Sequence, residues 1–117
     1  MAYDPHALYR RWLGELWHGS FGAVGEIIAD DFVGHWPDRD VRGPDELVEL
    51  IAETKAMFSE LTFELEVGPL AEGDLVAGRW TGSGRSDDGE LRFFGNDLLR
   101  VEQGRFAEYW VASSGGS

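Results

Sequence analysis

The spacing of apolar residues changes period once along this chain, near residue 60, and that change limits the folds open to it. Before it, Tyr9, Trp12, Leu13, Leu16 and Trp17 follow the i, i+3, i+4, i+7, i+8 spacing of a helical stripe. Asp4-Pro5 supplies the start of that helix, Asp as cap and Pro at the first helical position. Gly19 ends it near His18, and Ser20 caps a second, shorter helix through Ala29 that buries Val24, Ile27 and Ile28. Residues 30–37 read as a transition segment. Gly43-Pro44-Asp45-Glu46 opens a third helix, with acids in its first turn as the helix dipole prefers; Leu47, Leu50, Ile51, Thr54 and Phe58 mark its buried face. After the change, Leu61, Phe63, Leu65 and Val67 alternate with Thr62, Glu64 and Glu66, the pattern of a strand with one buried face. Gly68-Pro69 and Glu72-Gly73-Asp74 break it, and three more strands follow: Leu75 to Gly84, Glu90 to Glu102 and Arg105 to Ala112. Helices first, strands after, without an internal repeat, predict an α+β fold with a curved antiparallel sheet. At 117 residues the chain fits one domain, 1–117, with the Ser/Gly-rich 113–117 as a flexible tail.

Two tight turns predict how the strands pair. Asp88-Gly89 is a strong two-residue hairpin signal, because both residues tolerate positive φ. Taking them as the loop pairs Asp87 with Glu90 and sets Trp80 opposite Asp97. Gln103-Gly104, taken as a second loop, pairs Glu102 with Arg105 and sets Asp97 opposite Trp110. Both registers place Val76, Gly78, Trp80, Gly82, Phe93, Gly95, Asp97, Leu99, Val101, Phe106, Glu108 and Trp110 on one face. The other carries Arg79, Thr81, Phe94, Asn96, Leu98, Arg100, Tyr109 and Val111, a mixture that suits an association surface and hence a homodimer. A one-residue slip in either hairpin would exchange the faces. The glycines on the first face leave room for a ligand or for sharp sheet curvature.

Composition excludes several classes of partner. A net charge of −12 repels phosphate backbones and anionic membranes, so neither nucleic acid nor a lipid surface is expected as partner. Without cysteine there is no disulfide, thiol catalysis or thiolate metal site. No stretch reaches the ~18 apolar residues of a membrane helix, and the N-terminal residues lack the pattern of a signal peptide, so a cytoplasmic location is the expectation. Five Trp, three Tyr and seven Phe are many for this length; they suit a core and equally the wall of a ligand cavity.

Asp97 is the leading candidate for chemistry. A carboxyl between the indoles of Trp80 and Trp110 loses hydration, which raises its pKa toward the range of a general acid/base. The competing reading pairs it with Arg79 or Arg100. Glu108, diagonal to Asp97, is a candidate second acid/base or the partner of Arg100 or Arg79 in a salt bridge. His35 is the best-placed histidine, in a segment that would cross the pocket mouth, where a neutral imidazole could shuttle a proton; the alternative is a half-exposed loop residue beside packed Trp36. Trp36, Trp80, Trp110, Phe32, Trp12 and Phe93 are the expected pocket lining. The three His lack the spacing of a zinc helix, and no Gly-x-Ser-x-Gly elbow occurs, so neither a metal nor a nucleophilic serine is expected.

The run Gly95-Asn96-Asp97-Leu98-Leu99-Arg100-Val101 followed by Gly104-Arg105-Phe106-Ala107-Glu108-Tyr109-Trp110 resembles the paired last strands of SnoaL-like proteins of the nuclear-transport-factor-2-like superfamily. Asp31-Phe32-Val33-Gly34-His35, Gly43, and Glu72-Gly73-Asp74-Leu75-Val76-Ala77-Gly78-Arg79-Trp80 are similar to the same family. The resemblance implies a cone of three helices on a strongly curved sheet around a deep pocket, commonly as a dimer. It also implies a small hydrophobic ligand. Family members include polyketide cyclases that close a ring by intramolecular aldol condensation without metal or cofactor. The acid/base there is the Asp of a Gly-x-Asp-x-x-Arg strand, which corresponds to Asp97. The family's Gly-Thr-His after the Arg-Trp strand is replaced by Gly82-Ser83-Gly84-Arg85, which leaves two readings: His35 takes the place of that histidine, or the pocket does different chemistry. Isomerases and members without turnover share the fold, and fold does not fix function. A ligand-binding or dimerisation module is therefore the alternative to an enzyme.

Overall fold

A computed structural model describes residues 4–114. Helix α1 (Pro5–Gly14) starts as its sequence predicts: the Asp4 side chain accepts from the His6 N–H at 2.9 Å, with Pro5 behind it. A 3₁₀ turn (Leu16–His18) and a four-residue α2 (Val24–Ile27) follow, then strands β1 (Ile28–Trp36) and β2 (Arg39–Arg42). Helix α3 (Gly43–Ala56) precedes β3 (Ser59–Glu72), β4 (Leu75–Ser86), β5 (Gly89–Glu102) and β6 (Arg105–Ser113). The fold is α+β: among the described residues, six strands form one curved, unclosed sheet in the order β2-β1-β6-β5-β4-β3, with the helices packed on its concave face.

The early part of the chain departs from the sequence reading. The second helix is one turn long, because Ile28 is already extended (φ −114°, ψ 128°) and buried inside β1. The transition segment is β1, an interior strand paired antiparallel to β2 and parallel to β6. Its exposed Asp30-Asp31 pair, the adjacent apolar Phe32 and Val33, and Gly34 give no apolar–polar alternation to mark it as a strand. At the other end, Ser113, expected in the flexible tail, is in β6 and the Ser114 N–H bonds to the Phe94 carbonyl at 2.9 Å; residues 115–117 of the expected tail lie outside the described residues.

Both hairpin registers need correction. The β4–β5 loop is Asp87-Asp88, and Gly89 uses its positive φ (111°) as the first residue of the returning strand, paired with Ser86. Moving the loop back by one residue moves the register by two, so the faces survive but the partners change: Asp97 lies opposite Gly78, and Trp80 opposite Gly95. The second loop is Gln103-Gly104 as predicted, with φ of 53° and 80°. Beyond it, Val101 pairs with Phe106 but Arg100 pairs with Glu108, so Ala107 is an extra residue, a β-bulge. The bulge exchanges the faces of everything after it. Tyr109 and Val111 point into the molecule with Asp97, and Glu108 and Trp110 point out.

Candidate active site

The site is built around one buried carboxyl. Asp97 is 3 % exposed, and among the described residues four side chains donate to it. Trp80 Nε1–H (3.0 Å) and Tyr109 O–H (2.6 Å) reach Oδ1; Tyr9 O–H (2.9 Å) and Trp12 Nε1–H (3.3 Å) reach Oδ2. Each oxygen thus holds one indole and one phenol. An indole N–H can only donate, so two of the four positions demand lone pairs on the carboxyl, whereas a phenol can turn round and accept.

Three elements bring these donors together. Tyr9 and Trp12 stand three residues apart on α1 and so share its inward face. Tyr109 lies two residues from the register partner of Asp97, Val111, and faces inward because of the bulge at Ala107. The glycines supply the clearance. A Cβ on Gly78, directly opposite Asp97, would sit 2.6 Å from the Tyr9 ring, and one on Gly95 would sit 2.2 Å from the Trp80 indole. The room that the sequence suggested for a ligand or for curvature is taken at these two positions by the donors' own rings.

Beside this cluster lies a cavity of about 540 Å³, within the range of small-molecule sites. Leu13, Trp17, Trp36, Phe63, Phe93 and Val111 give it apolar walls, and Asp97, Trp80 and Tyr109 form its polar wall. Exposed Asp38, Arg39, Glu53 and Arg92 line its solvent side.

Burial pushes the Asp97 carboxyl above the ordinary carboxylate range; the bonds from Tyr109, Trp80, Tyr9 and Trp12 oppose that rise without cancelling it. The Tyr109 and Tyr9 hydroxyls are pushed up too, first by burial and then by the adjacent Asp97 charge. All four donors are neutral, so the carboxyl is not locked ionised by a cation, and Arg79 and Arg100 are paired elsewhere, with Glu66 and with Glu102 and Glu108.

The expected site residues divide between two places. Trp36, Trp80 and Phe93 line the cavity, and Trp12 and Phe32 form the layer behind Asp97, their ring centroids 6.3 Å apart. His35, Glu108 and Trp110 stand on the opposite, convex face. There His35 Nε2 meets Glu108 Oε2 at 2.7 Å, His35 Nδ1 meets Asp40 at 3.0 Å, and the imidazole stacks on Trp110 at 5.7 Å. Glu108 also accepts from Arg100 at 3.2 Å, which is the salt bridge weighed against its catalytic reading. Hydrogen bonds from Glu108 and then Asp40 raise the His35 pKa, and the bond to His35 holds Glu108 below its usual value. The sequence reading missed the two tyrosines. Tyr9 was legible only as part of an apolar stripe, although a buried phenol needs a polar partner; Tyr109 was set on the wrong face because nothing local marks the bulge.

Among the described residues, no helix is long and apolar enough to cross a membrane. Residues 9–109 match the family model described as a SnoaL-like domain. Solved structures reproduce the fold over nearly the whole chain. IdmH of Streptomyces antibioticus, described as a candidate polyketide cyclase, superposes with a TM-score of 0.82 at 22% identity, covering 96% of this chain and 93% of its own. A candidate SnoaL-like polyketide cyclase of Jannaschia sp. gives 0.83 at 16% identity, covering 97% and 91%. A candidate isomerase of the SnoaL-like family from Agrobacterium tumefaciens gives 0.78 at 19% identity, covering 95% and 98%. Among curated proteins, none matches the chain by sequence.

Proposed function

The chain belongs to the SnoaL-like domain family, and on that premise we propose that it is a cofactor-independent acid/base enzyme acting on a small hydrophobic carbonyl compound. The reaction is a cyclisation of the polyketide-cyclase kind, an intramolecular aldol condensation, or an isomerisation. Both begin by removing a proton alpha to a carbonyl. One observation carries this reading: a buried carboxyl with neutral donors only stands in the wall of an open, mostly apolar cavity. Desolvation raises the proton affinity of such a carboxylate, and the rigid donors fix its direction. The apolar walls favour an apolar ligand. The names of the structural neighbours agree with this reaction class.

The test uses 2-tetralone, a bicyclic ketone with acidic alpha protons, and follows its exchange in heavy water by NMR. Asp97→Asn is expected to lower the catalysed exchange by about a hundredfold or more, the usual contribution of a positioned base. Binding of the ketone without any catalysed exchange would favour the ligand-binding module.

A second copy of the chain is the expected partner, through the convex sheet face. Leu98 (39 % exposed) pairs directly with Trp110 (36 %), with Phe94 (38 %) further along β5 on the same face. The charges beside them are largely balanced within the face, through Arg100 with Glu108, Arg79 with Glu66 and His35 with Asp40. In a chain of net charge −12, such a face lets two copies approach with the least repulsion.

A further inference from the structure

We infer that Tyr109 is the group that exchanges a proton with the substrate, relaying it to Oδ1 of Asp97, while Oδ2 serves only as an anchor. This rests on the acid/base reading above and assigns its atoms. The two oxygens have equivalent partners, one indole and one phenol each, but different surroundings. All four donors are buried, but Tyr9 and Trp12, on Oδ2, take no part in the cavity wall. Tyr109 and Trp80, on Oδ1, both line the cavity. The carboxylate therefore has no lone pair free for a substrate proton unless a donor gives way. Trp80 has no acceptor atom to offer in exchange. Tyr109 has one, at the shortest contact in the cluster, 2.6 Å.

The alpha C–H bond breaks, its electron pair becomes the enolate, and the proton passes to Tyr109 Oη. The phenol's own proton passes to Asp97 Oδ1 along the existing hydrogen bond. Tyr109 stays neutral throughout, Asp97 ends protonated, and its new O–H donates to Tyr109. The two indoles and Tyr9 keep their bonds. Reversal of the same two transfers delivers a proton to carbon or to an alkoxide, so one pair of residues serves as base and then as acid. Direct attack by Asp97 lacks this economy, because Tyr109 or Trp80 would first have to leave Oδ1.

The experiment compares Tyr109→Phe, Tyr9→Phe and Asp97→Asn in the 2-tetralone exchange. The two Phe variants each delete one phenol bond to Asp97, on opposite oxygens, so a purely structural role predicts equal losses. The relay predicts that Tyr109→Phe falls about as far as Asp97→Asn, roughly a hundredfold or more, and at least about tenfold further than Tyr9→Phe. If Tyr109→Phe stays within about tenfold of wild type while Asp97→Asn is inactive, the relay is wrong and the acid/base reading stands. If Asp97→Asn matches wild type, or wild type catalyses no exchange, the acid/base reading fails and the relay fails with it. Tyr109→3-fluorotyrosine keeps ring shape and fold while making the hydroxyl more acidic; the relay predicts an altered pH profile of exchange, and an unaltered profile overturns it. Binding of 2-naphthol, the aromatic counterpart of the 2-tetralone enol, needs no turnover. It is expected to weaken at least about tenfold more in Tyr109→Phe than in Tyr9→Phe, and equal weakening counts against the assignment.

Discussion

Trp80 reaches Asp97 on the diagonal. It pairs across the β4–β5 ladder with Gly95, lies over that glycine's bare backbone, and donates its indole N–H to Asp97 Oδ1 at 3.0 Å. The carboxyl is held by a side chain that its own strand neighbourhood makes room for.

Gly95→Ala tests that clearance. The added methyl would stand 2.2 Å from Trp80 Cζ2, and both the strand and the ring are packed. Forcing them apart costs about 1–3 kcal/mol. The expected result in urea denaturation is a lower midpoint with an unchanged slope, together with slower 2-tetralone exchange. A loss under about 0.5 kcal/mol would show that the indole has space to move.

Asp97→Asn is expected to fold but to be less stable. The Asn amide turns two N–H groups toward positions now held by donors, and one of them faces an indole that cannot accept, a cost of about 1–3 kcal/mol. Asp97→Leu orphans all four donors and costs more. The pH dependence has a definite sign. Burial raises the folded pKa of Asp97 above its unfolded value, so its stability contribution is complete below about pH 4 and is lost as pH rises through the folded pKa. The stability gap between wild type and Asp97→Asn should therefore narrow as pH increases from 4. A gap that widens would mean that the four hydrogen bonds outweigh desolvation.

His35→Gln probes the convex face. The His35 pKa is raised by Glu108 and Asp40, so the contribution of the charged imidazole is complete below its unfolded pKa, about 6.5, and lost as pH rises through the folded value. The Glu108 pKa is depressed, so its contribution fades as pH falls through that depressed value. The substitution should destabilise more at pH 6 than at pH 9. Because both partners are partly solvated, the difference is expected to be about 0–1 kcal/mol. Thermal melts at the two pH values measure it, and catalysed exchange should not follow this titration.

Leu98→Glu tests the association face. The wild type is expected to run as a dimer at micromolar concentration in sedimentation, and the variant, with a charge opposite Trp110, as a monomer. A monomeric wild type, or a variant that stays dimeric, would remove the convex face from consideration.

The sequence by itself determined the class of fold, the starts of α1 and α3, the bounds of β4 to β6 to within two residues, and Asp97 as the polar residue on an apolar face; α1 stops at Gly14, short of His18, and β3 runs on through the expected break at Gly68-Pro69 to Glu72. These are local properties: a cap, a dipole preference, a period of two and a turn signal each act within a few residues. The β4–β5 register was read two residues out and still kept Asp97 on the correct face, because a shift by an even number preserves the alternation. Only the tertiary structure decided which residues surround it. One extra residue, Ala107, turned Tyr109 inward and sent Glu108 and Trp110 to the other side, where β1 brings His35 to meet them. A bulge has no strong local signature; its position is set by how β6 must satisfy β5 and β1 together. Tyr9, 88 positions away from Asp97 in sequence, is its partner only because α1 crosses the sheet above Gly78.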